Sequence, residues 1–329
     1  MRCFLEETAA LPAWADGAQI ELGQRVFSRF GPQIVLALTC AALPECYAAA
    51  RGAQILNLSP RLRRYTHRRV LETAQLVLDV MAPGGLGPQG CGIRTVQKVR
   101  LLHAVYRPYL ACQPEYHPSL GLPINQEDML GTLMAFSVVV MDSLGRMGVE
   151  LSRQEEEAYL HTWLVVGYLL GIDERMFPWD PQEARQLADV IRQRHHGPSG
   201  AGRALARALV QMLEQAVPGT PLDGFVCVLI RHLAGDRVAD LLNLARPDWT
   251  RALLWPLRLT NAMVDTVCDT LPPLSWATEL FGRKVLEGVY VSEQGSEPVR
   301  FHIPPELARQ WSVCAPSSTT QAMATESQA

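Results

Sequence analysis

Through most of the chain, apolar residues return at i, i+3 and i+4, the spacing of one face of an α-helix. The pattern predicts helices near 18–30, 33–50, 65–81, 93–110, 126–148, 153–171, 181–194, 201–216, 223–233, 236–245 and 276–287. The breaks fall at Pro83-Gly84-Gly85, Gly121, Gly171, Gly197-Pro198 and Pro218-Gly219, residues that stop helices rather than continue them. Ser152 followed by Glu155 is a capping box that opens the helix at 153. One stretch departs from this period: Val289-Tyr290-Val291, then EQGSEP, then Val299 to Ile303, predicts a small hairpin. Arg192 to Arg203 is polar and reads as a solvated loop. The small polar residues after Val313 read as a disordered tail. No internal repeat and no sharp shift in composition divides the rest. The expectation is an all-α protein in one domain over 1–313, with a tail over 314–329.

Composition narrows the chemistry. The chain has 329 residues, 48% hydrophobic and 19% charged, with 30 basic against 33 acidic side chains and a net charge of −3. That is ample material for a core. Phosphate binding wants a basic excess, so nucleic acid is not the expected partner. The longest apolar stretch, Ile34 to Leu43, ends at Pro44 after ten residues, and a membrane span needs about 20. The opening MRCFLEETAALPAWADG lacks the basic-then-apolar layout of a signal peptide, so a cytoplasmic location is expected. The eight cysteines have no CxxC pair and no CxxCH, and read as reduced, buried small hydrophobes.

Gly85-Leu86-Gly87-Pro88-Gln89-Gly90 matches GxGxxG, but a dinucleotide site needs a strand before it and an acid about 20 residues on. LVLDV continues a helical pattern instead, and positions 102–112 hold no Asp or Glu. The glycines are read as a helix–helix connector. HExxH, an ExxH pair, GxSxG and the P-loop are absent. His195, His196, His302 and His117 lie in polar or hairpin segments and are expected at the surface.

Of His67, His103, His161 and His232, only His103 has distinctive company. In KVRLLHAVYRPYL it stands between Arg100 and Arg107 at i−3 and i+4, so the three share one helical face. Two arginines beside an imidazole suit a planar dianion such as haem with its propionates, the imidazole meeting the iron. The plainer alternatives are a satisfied core histidine and two structural salt bridges. On the preceding helix Arg69, Glu72 and Thr73 stand at i, i+3 and i+4. Glu72 lies ten residues before the connector and His103 eleven after it, so in an antiparallel pair both sit ~15 Å from the connector. That height match suits a flat cofactor between His103 and a polar pair, or an ordinary hairpin with a polar rim.

These residues resemble a known family. R-x-x-x-T (Arg69 to Thr73), LVLDVMAPGGL, the 30-residue step from Thr73 to His103, KVRLLHAVYR, LPINQEDMLGT (122–132) and YLHTWLVVGYLLGI (159–172) are similar to the catalytic domain shared by latex clearing proteins, which are rubber oxygenases, and the mpaB-type oxygenases. The similarity runs from about residue 25 to 313. The resemblance implies a globin-like helical core holding non-covalent haem b, with His103 as proximal ligand and Arg100 and Arg107 on its side. Arg69 and Thr73 would lie on the distal side, and a C=C bond of an isoprenoid would be cleaved with O₂ as co-substrate.

Two departures matter. Glu72 stands where the rubber oxygenases carry a distal lysine. No upstream base carboxylate is found where the family places one, since the chain reads Arg51-Gly52-Ala53 there. Glu72, read as buried with its pKa raised by desolvation, is the first candidate base, and Glu45 the second. The expected function is a haem b-dependent oxygenase of an apolar small molecule, lined by Ile34–Leu43 and Met129–Val140. The alternatives are a non-catalytic haem sensor or carrier, and a helical scaffold without haem.

Overall fold

The computed structural model describes residues 2–58, 66–216 and 224–245. Every regular element among them is helical, and pairing of extended backbone is confined to one isolated bridge between Ala49 and His196. In chain order these are α1 (Arg2–Glu7), α2 (Gly17–Arg29), α3 (Gly31–Ala37), a π-helical turn (Leu38–Ala42), α4 (Leu43–Ala48) and α5 (Ala50–Leu58). Then come α6 (Thr66–Met81), α7 (Gly92–Ala111), α8 (Gln126–Phe136), α9 (Val138–Arg146), α10 (Arg153–Leu170), α11 (Pro181–His195), α12 (Gly200–Ala216), α13 (Phe225–Ala234) and α14 (Asp236–Leu241). The expected helix at 276–287, the hairpin at 289–303 and the tail at 314–329 lie outside the described residues.

Helix α10 forms the axis of the core. It buries Tyr159, Leu160, Trp163, Leu164, Val165, Val166 and Leu169, apolar on nearly all sides as a central helix must be. Its start is the expected capping box: Ser152 Oγ accepts from Glu155 N–H at 3.3 Å, and the Glu155 carboxylate accepts from Ser152 N–H at 2.8 Å. Its end is Gly171 in the left-handed region at φ 90°, where glycine is free of the Cβ penalty. Helix α2 crosses α10 closely because Gly23 has no side chain. A Cβ there would sit 2.3 Å from Thr162 Oγ1 and 2.7 Å from the Ala158 carbonyl oxygen.

The structure corrects several boundaries. The expected 33–50 helix is α3, a π turn and α4, followed by a fifth helix the pattern did not suggest. Pro44 explains the π turn. It cannot donate to the carbonyl four residues back, and its ring crowds that turn, so the helix takes a wider register just before it. The expected 126–148 helix breaks at Ser137, whose hydroxyl donates to the Leu133 carbonyl at 2.8 Å. The expected loop at 192–203 shrinks to residues 196–199, because α11 runs on to His195 and α12 starts at Gly200. The stretch Gln126–Arg146 is long and apolar enough to cross a membrane by composition, but most of it is buried inside this bundle.

Among the cysteines, Cys40 and Cys46 are free thiols, and burial pushes both up to about 12. Cys91 and Cys112 depart from the expectation of burial. They cap the two ends of α7, where the helix emerges, and are exposed.

Candidate haem-binding hairpin

The glycine-rich segment is a helix–helix connector, with a helix and not a strand before it. It joins α6 to α7, and Gly92 N–H donates back to the Gly85 carbonyl at 2.9 Å. A Cβ at Gly90 would lie 2.2 Å from that carbonyl oxygen, and one at Gly92 would lie 2.9 Å from the Val80 Cα. The motif therefore serves close backbone approach rather than phosphate binding. Just beyond the connector the helices are tied by the Thr95 hydroxyl, which donates to the Asp79 carboxylate. Gln24 of α2 braces the same end, donating to the Val80 carbonyl at 2.9 Å and accepting from Gly84 N–H at 3.1 Å.

On α7, His103 is half-buried, and its buried Nδ1 has no hydrogen-bond partner. Burial, and then the positive charge of Arg107, lower its pKa to about 4. The imidazole is thus neutral near pH 7, which keeps a nitrogen lone pair for coordination. Arg100 and Arg107 are half-buried on either side. Arg100 donates to the Leu169 carbonyl at 3.1 Å, and Arg107 Nε donates to the Ile124 carbonyl at 3.0 Å while its Nη2 lies 3.5 Å from Met129 Sδ. Among the described residues neither pairs with a carboxylate, so the structural salt bridges considered above are not what is seen. Two half-buried guanidinium groups satisfied only by neutral acceptors leave a face suited to an anion. Ile124 was not singled out from the sequence, its one signal being membership of the LPINQEDMLGT motif, and Met129 entered only as the start of the expected lining segment Met129–Val140.

On α6, Thr73 is half-buried in line with the buried Leu76, Val77 and Val80. Arg69 lies one turn earlier on that helix, and its side chain is outside the described residues. Glu72 is exposed, not buried as expected. Each helical residue turns about 100°, so Glu72 stands about 100° from Thr73 but only about 40° from Leu76, at the edge of the stripe.

Glu45 is placed elsewhere. It is buried on α4, in an ion pair with Arg192, and its Oε1 is 3.6 Å from His196 Nε2. His196, expected at the surface, has a side chain only 4% exposed. His161 Nε2 accepts from Asp16 N–H at 3.0 Å and its ring meets Trp14 edge-on. His232 Nε2 lies 3.1 Å from the Arg146 carbonyl. The expected lining segments, Ile34–Leu43 and Met129–Val140, pack against one another within the core.

The residues fit a haem. The His103 imidazole, neutral and with its buried Nδ1 unpartnered, would hold the iron, and Arg100 and Arg107 would meet the propionates. Among the described residues no three His, Cys, Asp or Glu side chains converge to hold a bare ion. A single imidazole suffices for an iron already held in a macrocycle.

The chain matches the family model described as ER-bound oxygenase mpaB/B′/Rubber oxygenase, catalytic domain, over residues 25–266. A rubber oxygenase of Streptomyces sp. (strain K30) is 27% identical over 306 residues, covering 86% of this chain and 71% of that protein. The structure of latex clearing protein LCP in the closed state superposes with a TM-score of 0.71 at 25% identity, covering 87% of this chain and 78% of the other. With the model spanning well over half its length, the chain belongs to the mpaB/rubber oxygenase catalytic-domain family.

Proposed function

We propose that this protein is a haem b-dependent oxygenase that acts with O₂ on a C=C bond of an apolar, isoprenoid-like small molecule. One observation carries the reading: the His103 imidazole, its buried Nδ1 without a hydrogen-bond partner, stands between two arginines that meet no carboxylate among the described residues. Family membership adds the oxygenase chemistry, and the named substrate of the Streptomyces relative points to an apolar alkene. A globin-like arrangement of helices around the cofactor is part of the proposal.

When bound, haem b supplies the redox chemistry with O₂ that breaks the double bond. His103 offers a neutral nitrogen and is not protonated near pH 7. Arg100 and Arg107 hold the propionates by charge-assisted hydrogen bonds. Across the hairpin, Thr73 offers a hydroxyl from the buried stripe of α6, and Arg69 a positive charge that stabilises developing oxyanion character. Glu72, at the edge of that stripe, accepts the allylic proton on a carboxylate oxygen. Packed core segments beside the hairpin exclude water from the apolar substrate.

A second reading is haem binding without turnover. It is favoured by the exposure of Glu72, since a base working on an apolar substrate is usually shielded from bulk water. The absorption spectrum of the purified protein tests the haem in both. A Soret band that disappears in His103→Ala but survives in His161→Ala and His232→Ala supports them. Wild-type haem content in His103→Ala overturns the assignment. Consumption of an apolar alkene under O₂ with reductant then separates enzyme from carrier.

A further inference from the structure

Of the two arginines beside His103, Arg107 meets the short segment at the start of α8 directly, and Arg100 meets the Gly171 turn that this segment contacts. Ile124 supplies the carbonyl that accepts from Arg107 Nε at 3.0 Å. It does so at φ +54°, a left-handed conformation that is costly for a β-branched side chain. Among the described residues the other non-glycine with positive φ is Asn243, a residue type that tolerates it. The next residue fixes this backbone. Asn125 N–H donates to the Asp128 carboxylate at 3.2 Å, its side-chain oxygen accepts from Asp128 N–H at 3.0 Å, and its amide donates to the Leu122 carbonyl at 3.0 Å.

Gln126 then reaches away from its own helix. Its amide donates to the Gly171 carbonyl at 2.9 Å and accepts from Asp173 N–H at 2.9 Å. The turn it grips is the platform for Arg100. That guanidinium lies so close over Gly171 that a Cβ there would sit 3.0 Å from its Cζ and Nε, and it donates to Leu169 just upstream. Asn125 already caps α8, so the Gln126 amide is not needed for capping.

We propose that Ile124–Gln126 is a positioning brace for the propionate-binding face, Gln126 setting Arg100 through the Gly171 turn and Ile124 setting Arg107 through its carbonyl. The brace rests on the haem reading above, and its test separates the two. Haem transfer from the loaded protein to excess apo-globin reads it without turnover. Gln126→Ala should transfer haem roughly tenfold faster, the scale of one lost charge-assisted contact. Arg100→Ala should do the same, and the double variant should go no faster than the faster single. Gln126→Glu keeps the size but cannot donate to the Gly171 carbonyl, so it should behave as Gln126→Ala.

On the other arm, Ile124→Gly keeps the left-handed backbone and should stay close to the wild-type rate. Ile124→Pro cannot adopt positive φ and should match Arg107→Ala. Wild-type transfer in Gln126→Ala or Gln126→Glu overturns the brace, as does a double variant whose effect is the product of the singles. Should Gln126→Ala not fold, the Ile124 pair decides, and equal rates for its Gly and Pro variants overturn the brace. A wild type with no Soret band refutes the haem reading itself; any of the other failures in a haem-loaded wild type refutes the brace alone.

Discussion

His196 holds its Nε2 3.6 Å from the Glu45 carboxylate, and the two side chains are 4% and 10% exposed. Arg192 shares that carboxylate, so one anion anchors two basic groups of the α11 end and the following turn. Burial lowers the His196 pKa, and Glu45 works against that shift. Glu45→Gln leaves Arg192 without its buried counter-charge. It should cost about 3 kcal/mol, the low end for breaking a buried pair because Arg192 is partly exposed. The denaturant midpoint should fall while haem content stays unchanged; lost turnover at full stability would restore Glu45 as a base.

Stability should depend on pH through His103. Its folded pKa is about 4 against an ordinary 6.5, so between these values the unfolded chain binds more protons. Stability therefore rises with pH across that window and falls as acid is added. By pH 5 the haem-free protein should have lost about 2 kcal/mol to this group alone. His103→Leu should remove that share, while His161 and His196, also lowered by burial, keep theirs. Urea titrations at pH 7 and pH 5 on both proteins check this, and equal acid losses in the two would refute it.

Arg100→Ala and Arg107→Ala should each weaken haem retention by about 1.5–3 kcal/mol. Lysine at either position should recover only part, because a planar fork becomes a point charge. Competition for haem against an apo-globin measures it. Unchanged affinity in both alanine variants would mean that these side chains serve only the carbonyls they now meet.

Glu72→Gln should keep the fold and the haem, since the side chain is exposed and the swap preserves shape. As the proposed base it should cut turnover of an apolar alkene by roughly 10²–10⁴. Wild-type turnover would move proton abstraction to another group. Glu72→Lys tests the distal side independently, because an amine placed there should slow the entry of CO or imidazole.

Gly90→Ala should destabilise the protein by about 1–3 kcal/mol, the usual cost of overpacking, because its Cβ would lie 2.2 Å from a backbone oxygen that cannot move away cheaply. Thermal melts of the haem-free chain measure it.

Much of this was legible in the sequence because the signals are local. The 3.6-residue period placed α2, α6, α7, α10 and α11 within a residue or two, and Ser152 marked its own cap. His103 with its two arginines stood out because i−3 and i+4 neighbours share a face in any helix. What escaped depended on partners far along the chain. Nothing around RQRHHGPSG says that His196 is buried, since Glu45 is about 150 residues away. The edge position of Glu72 follows from which stripe of α6 faces inward, and that is fixed by neighbouring helices. The fifth helix, which carries Gly52 in its first turn, packs against α12, about 150 residues further along the chain.

The α6–α7 hairpin closes through contacts close in sequence, its glycine connector and the Asp79–Thr95 tie. The crossing of α2 on α10 spans well over a hundred residues. Local contacts form at less loop-closure cost, so the hairpin should assemble early and meet the emerging chain as a preformed unit. The arginine partners Ile124, Met129 and Leu169 lie downstream of it. During synthesis, the proposed cofactor site should therefore be incomplete until at least residue 171 has left the ribosome, and a chain stalled earlier should carry the imidazole without the power to retain haem.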